Sequence, residues 1–264
     1  MSDLFDIRGR TALITGANAG IGFGFADALA SQGANVMIWS RRKDKNEAAA
    51  ERLSAHGVRA LHDEVDVSDE AQQVAAFERA VEEFGRIDCV IANAGIIGNA
   101  PFADMSFDDY QRLIGINQHG AFLTLREGVK HMVKTVEDGG PPGSLIATGS
   151  LSIFGGVPGM AHYGAAKGAV ASMIKSIATE YGPLGIRANM ICAGTVVNEG
   201  MEPLPDELLD VIGGKCPMGR IGRPEDLAGI VVYLMSDASR WHTGDLITVD
   251  GGHMGAVFPT GMPV

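Results

Sequence analysis

The stretch TALITGANAGIG, Thr11 to Gly22, decides the fold. Its first five residues are mostly apolar and β-prone, they run straight into a glycine-rich turn, and helix periodicity follows at once over 22–32. A strand, a glycine turn and a helix in direct succession is the context that a phosphate-binding turn requires. Side chains at Gly16, Gly20 or Gly22 would hold the backbone away from a pyrophosphate, which rests on the free N–H groups and positive dipole of the helix N-terminus. Taken alone, such a turn is also simply a turn. Read as a site, it makes Gly16, Asn18, Gly20, Ile21 and Gly22 candidate contacts for a dinucleotide.

Outward from this unit, short β-rich runs recur at 35–39, 58–65, 89–92, 144–148, 186–191 and 245–249, giving seven strands with 11–15. Helix-period stretches at 43–56, 70–84, 107–136, 162–181 and 224–235 lie between them. Alternation of this kind forces right-handed crossovers, and it predicts a doubly wound parallel α/β sheet with helices on both faces and ligands at the carboxyl ends of the strands. One domain over 1–264 suffices, because no linker divides the chain. Two segments break the rhythm: the turn-rich 137–143, and 195–217, which is too long for an ordinary connection and is a candidate substrate lid.

Composition narrows the partners. Hydrophobic residues make up 46% and charged residues 20% of the 264 positions, the balance of a globular protein with a large core. A formal charge of −11 disfavours nucleic acid and anionic membranes and leaves small molecules. The N-terminus has no apolar leader, and no apolar run approaches the roughly 18 residues of a membrane span, so a cytoplasmic protein is expected. Cys89, Cys192 and Cys216 are far apart and suggest neither disulfides nor zinc, and the histidines, His162 beside Tyr163 included, show no metal-ligand spacing. Met160, Met190, Met201, Met218 and Met254 line an apolar cavity or fill gaps in the core.

The second strand ends in Trp39-Ser40-Arg41-Arg42, where the adenine ribose of a dinucleotide lies. With Ser40 in the place of an acid and Arg41 directly after it, a guanidinium can grip a 2′-phosphate, which favours NADP(H) over NAD(H). The bland alternative is that Arg41, Arg42 and Lys43 decorate a solvated helix start.

Ser150 follows the fifth strand, Tyr163 stands thirteen residues later, and Lys167 four beyond that. A spacing of four puts Tyr163 and Lys167 on one helix face, where the ammonium favours a phenolate and, together with an oxidised nicotinamide, brings a group that titrates near 10 within use as an acid or base. Ser150 can hydrogen-bond a substrate oxygen as its charge changes, and Asn117, inside the long helix 107–136, can bond a main-chain group or a water linked to the lysine.

In chain order, the loop Thr15 to Gly22, Asp66-Val67, Asn93-Ala94-Gly95, Asn117, Ser150, Tyr163-Gly-Ala-Ala-Lys167 and Val249-Asp250-Gly251-Gly252 resemble the short-chain dehydrogenase/reductase family in its compact form. The resemblance covers 6–254 and implies a Rossmann-like fold and an oxidoreductase interconverting an alcohol and a ketone. It also implies a homo-oligomer, commonly a tetramer, packed through the helices of Asn117 and Tyr163. By the same resemblance Asp66 binds adenine, Asn93 stabilises the sheet and lines the cofactor, Lys167 grips the nicotinamide ribose and Ser150 positions substrate. Ala19 stands where many NADP enzymes carry a basic residue. After the sixth strand, Ala193-Gly194-Thr195-Val196-Val197-Asn198 departs from the family's Pro-Gly and following Thr. Backbone near Gly194 and Val196, with the Asn198 amide, can still hold a carboxamide. Two rivals remain: a silent dinucleotide sensor, and an acyl-carrier-protein ketoreductase using Lys130 and Lys134 as a basic docking surface. The apolar tail 253–264 suits packing on a neighbouring subunit.

Overall fold

The computed structural model describes residues 4–197 and 206–256. Seven strands, β1 (Thr11–Thr15), β2 (Asn35–Ser40), β3 (Ala60–Glu64), β4 (Cys89–Ala92), β5 (Ser144–Ser150), β6 (Arg187–Ala193) and β7 (Leu246–Val249), form one sheet. Every pairing is parallel and the order is β3-β2-β1-β4-β5-β6-β7. The helices are α1 (Gly20–Ser31), α2 (Lys43–Ser54), α3 (Glu70–Phe84), α4 (Phe107–Ile114), α5 (Gly120–Glu137), α6 (Ala161–Tyr181), α7 (Asp206–Gly213) and α8 (Ala228–Met235).

Side-chain alternation along the strands sorts the helices between two faces. Ala12, Ile14, Val36, Ile38, Cys89 and Ile91 face one core with α1, α2 and α8; Leu13, Met37, Trp39, Val90 and Ala92 face the other with α3, α5 and α6. Strands buried on both faces read as continuous apolar runs, which is why 11–15, 35–39 and 89–92 stand out in the sequence. β3, an edge strand, is only half buried, and it is shorter than the expected 58–65. The order reverses beside β1, whose neighbours β2 and β4 send their crossovers to opposite faces, so a crevice opens at the carboxyl ends of β1 and β4.

The helix expected over 107–136 is two helices, α4 and α5, joined by one wide π turn, Gly115–His119, with Asn117 at its middle. A single π turn of this sort marks functional positions in other helices. The lid segment 195–217 contains α7, the first residues 195–197 run beside Gly222, and 198–205, with Asn198 and Met201, lie outside the described residues. So does 257–264 of the tail. Among the described residues no helix is long and apolar enough to cross a membrane. The three cysteines are buried and unpaired, and Met190 is core whereas Met218 is exposed.

Candidate active site

A cleft of about 410 Å³ occupies the crevice at the strand ends. Its floor is the glycine turn. Ala19 precedes α1 in extended conformation, and no side chain caps the helix, so the N–H groups of the first turn lack the side-chain partner that usually satisfies one of them. Gly16 has φ 67°, and a Cβ there would lie 2.8 Å from Cα of Ala94; at Gly22 it would lie 2.3 Å from Nδ2 of Asn93. The turn is therefore closed by backbone on backbone, an uncapped anion cradle that fits a dinucleotide pyrophosphate.

Around this floor the structure gathers Asn18, Gly20, Ile21, Ser40, Arg41, Arg42, Asp66, Val67, Ala94, Gly95, Tyr163 and Lys167 from the expected set. Gly194 and Val196 line a separate hollow at the end of β6, with Asp226 and Asp250. Asn93 ties the strand ends together: its Nδ2 donates to Thr15 O (2.9 Å) and Gly16 O (3.2 Å), and its Oδ1 accepts from the Thr148 hydroxyl (3.0 Å). Asp66 accepts from the Ser68 backbone (2.9 Å) and hydroxyl (2.7 Å), and those bonds hold its carboxyl below the usual range.

At the other end, Ser150 closes β5 and Tyr163 and Lys167 lie one turn apart on α6. Lys167 is buried, its Nζ sits 5.7 Å from the Tyr163 ring centroid, and it donates to Thr148 O at 2.7 Å. Asn117, fully buried, clasps one backbone unit: its Oδ1 accepts from Ile96 N–H and its Nδ2 donates to Ile96 O, both at 2.8 Å. The main-chain bond open to its amide is therefore made, on both sides of Ile96. The π turn carries Asn117 to the loop after β4 and so sets the cleft wall.

A family model described as enoyl-(acyl carrier protein) reductase matches residues 16–254. A crystal structure of a short-chain type dehydrogenase/reductase from Mycobacterium marinum superposes with a TM-score of 0.90 at 36% identity, covering 96% of this chain and 99% of that one. The chain belongs to the short-chain dehydrogenase/reductase family. An L-rhamnose 1-dehydrogenase (NAD(P)(+)) of Sphingomonas sp. (strain SKA58) is 35% identical over 249 residues, 93% of this chain and 96% of its own length. A gluconate 5-dehydrogenase from Burkholderia cenocepacia J2315, solved with NADP and tartrate, gives a TM-score of 0.90 at 33% identity over 97% and 99% of the two chains. The protein is thus an oxidoreductase of the short-chain dehydrogenase/reductase type.

In this dehydrogenase/reductase the electrostatics of the catalytic end differ from what spacing alone suggests. Burial pushes the Tyr163 phenol up, and a hydrogen bond with Ser150 offsets only part of that. Burial pulls the Lys167 ammonium down to about 8, and its 2.7 Å bond goes to Thr148 O. In the protein without a bound dinucleotide, desolvation is thus the larger influence on the phenol and the Ser150 hydrogen bond the opposing one. Spacing also missed Thr148 and Asn46. Thr148 stands two residues before Ser150, so both point to one sheet face, a signal that was readable. Asn46 lies within α2, where the same mild helix unfavourability that drew attention to Asn117 applied. Of the two lysines named for carrier docking, Lys130 pairs with Glu127 (2.9 Å) and Lys134 with Asp138 (3.4 Å), both beside the groove between α3 and α5.

Proposed function

We propose that this enzyme interconverts a small-molecule secondary alcohol and its ketone, with NADP(H) preferred over NAD(H) and Tyr163 as the proton-transferring group. What carries the reading is the joining, in one cleft, of a half-buried tyrosine backed by Lys167 and hydrogen-bonded to Ser150 with an uncapped glycine turn. Because the rhamnose and gluconate dehydrogenases are named for polyhydroxylated substrates, sugars, polyols and aldonates are the compounds to screen first.

A nicotinamide dinucleotide bound along this cleft supplies the hydride in reduction. Ser150 donates its hydroxyl proton toward the substrate oxygen and orients it, its own lone pair held by Ser152 N–H at 3.2 Å. Tyr163 then gives its proton to that oxygen as negative charge develops there. The raised pKa of the resting phenol keeps this proton in place until it is needed. Lys167, fixed by Thr148 O, stabilises the phenolate left behind. Asn117 acts through Ile96, holding the cleft wall against the reacting groups.

The lysine gives the reduction a pH dependence. Its pKa of about 8 means that the ammonium is present below pH 8 and lost above it, while Tyr163 stays protonated. The kcat/KM for carbonyl reduction is expected to be flat below about pH 7.5 and to fall tenfold per unit well above about pH 8. Initial rates across that range check this, and a flat profile to about pH 10 would remove Lys167 from the proton-transfer machinery.

Cofactor choice is tested by titrating NADPH and NADH into the parent protein and Arg41→Ala. Arg41 is exposed at the cleft edge and makes no hydrogen bond or salt bridge among the described residues, so its guanidinium is available to a 2′-phosphate. Arg41→Ala should weaken NADPH about tenfold and leave NADH unchanged. Equal affinities for the two cofactors, insensitive to Arg41, would overturn the preference.

A further inference from the structure

The ribose end of the cleft carries a hydrogen-bond network whose direction one buried residue imposes. Asn46, on α2, is fully buried, and its Nδ2 donates to the backbone carbonyls of Ser40 and Asp63, each at 2.9 Å. With both amide hydrogens given to carbonyls, its Oδ1 can only accept. It accepts from the Ser40 hydroxyl and from Asn18 Nδ2, the latter at 3.0 Å. Asn18 Nδ2 donates to Ser40 Oγ as well. Ser40 has a single hydroxyl hydrogen, and that hydrogen goes to Asn46. The hydrogens of Asn18 also turn inward, so its Oδ1 turns out, 3.4 Å from Nη2 of Arg42. What Ser40 and Asn18 retain for a ligand in the cleft is lone pairs.

We propose that Asn46 is a positioning residue that sets cofactor choice: by drawing the hydrogens of Ser40 and Asn18 inward, it gives the ribose end an acceptor edge suited to the 2′-hydroxyl of NAD(H). Arg41 and Arg42 then serve the 2′-phosphate of NADP(H) without help from Ser40. A ribose hydroxyl can donate to the Ser40 lone pair, whereas a phosphate offers only acceptors and is repelled by it. The two devices work in opposite directions on one site, so the enzyme takes both cofactors with a smaller preference than two arginines alone would impose. The proposal rests on the dinucleotide reading of the cleft given above.

The test is calorimetric titration of NADH and NADPH into the parent, Ser40→Ala, Asn46→Ala and the double variant, each with its melting curve. Ser40→Ala should raise the Kd for NADH about fivefold and leave that for NADPH unchanged or lower. Asn46→Ala, which frees Ser40 and Asn18 to rotate, should raise the NADH Kd about tenfold and the NADPH Kd less. The double variant should lose no more NADH affinity than Asn46→Ala alone, because Asn46 acts through Ser40. If Asn46→Ala does not fold, Ser40→Ala decides, since it leaves the bonds of Asn46 to Asp63 and Asn18 in place. Ser40→Ala weakening both cofactors equally, or neither, overturns the proposal, as does a folded Asn46→Ala with the parent's NADH to NADPH ratio. A parent protein that binds neither cofactor instead overturns the dinucleotide reading itself, an outcome plainly distinct from the other two.

Discussion

Tyr163→Phe is expected to lower kcat for carbonyl reduction about a thousandfold while cofactor affinity stays within about twofold of the parent. The phenylalanine ring keeps the apolar contacts of Tyr163 with Leu113, Ile114 and Ala166 and the approach of Lys167, and removes only the hydroxyl that holds the transferable proton. Ser150 and Lys167 remain, but neither can replace it. Ser150 has no acidic proton near neutral pH, and Lys167 is turned to Thr148 O. Steady-state kinetics on an active carbonyl substrate, beside cofactor titration, separates chemistry from binding. A folded variant turning over at the parent rate would show that the proton comes from elsewhere.

Gly22→Ala should abolish dinucleotide binding, with a loss of at least about a hundredfold in affinity, and lower stability by about 3 kcal/mol. The added methyl would meet Asn93 Nδ2 at 2.3 Å, Gly16 O at 2.4 Å and Ala17 Cα at 3.0 Å. None of the three can yield cheaply. Asn93 is pinned by Thr15, Gly16 and Thr148, and Gly16 is held by its own N–H on Trp39 O at 2.7 Å. Relief must come from the glycine turn moving off the end of β4, which spoils the phosphate cradle. For a chain of this size such a loss lowers Tm by roughly 10 °C, measurable by circular dichroism, alongside fluorescence titration of NADPH. An unchanged melting point together with parent affinity would mean that the turn is looser than its contacts indicate.

The sheet was legible because strands buried on both faces announce themselves as apolar runs. β3 misled by two residues at its start and one at its end, since a half-buried edge strand has little apolar signal to bound it. The break between α4 and α5 was not legible, because helix periodicity runs through GINQH at 115–119 and a π turn differs only in its hydrogen bonds. At the site, Ser150, Tyr163 and Lys167 could be read together because two of them share a helix face and the third ends a strand. Asn46 and Thr148 carried only faint signals, a helix-disfavoured amide and a place two residues before Ser150. Their roles consist of bonds to residues far along the chain, Asp63 and Lys167 among them, which no local pattern records. The proton affinity of Tyr163 escaped for a related reason: spacing gives direction on a helix but says nothing of how much water is excluded.

The strand order also governs how the chain comes off the ribosome. β1 pairs with β2 on one side and β4 on the other, in the register Ala12↔Val36 and Ala12↔Cys89. A nascent chain that has released β1, β2 and β3 therefore exposes one edge of β1, lined by Ala12, Leu13 and Ile14, until β4 emerges some seventy residues after β1. An apolar edge of that kind is a template for misjoining with other chains. Bound cofactor cannot shield it, because Tyr163 and Lys167 appear later still. For that interval protection falls to chaperones or to fast synthesis, and slow codons placed between β3 and β4 would lengthen the exposure.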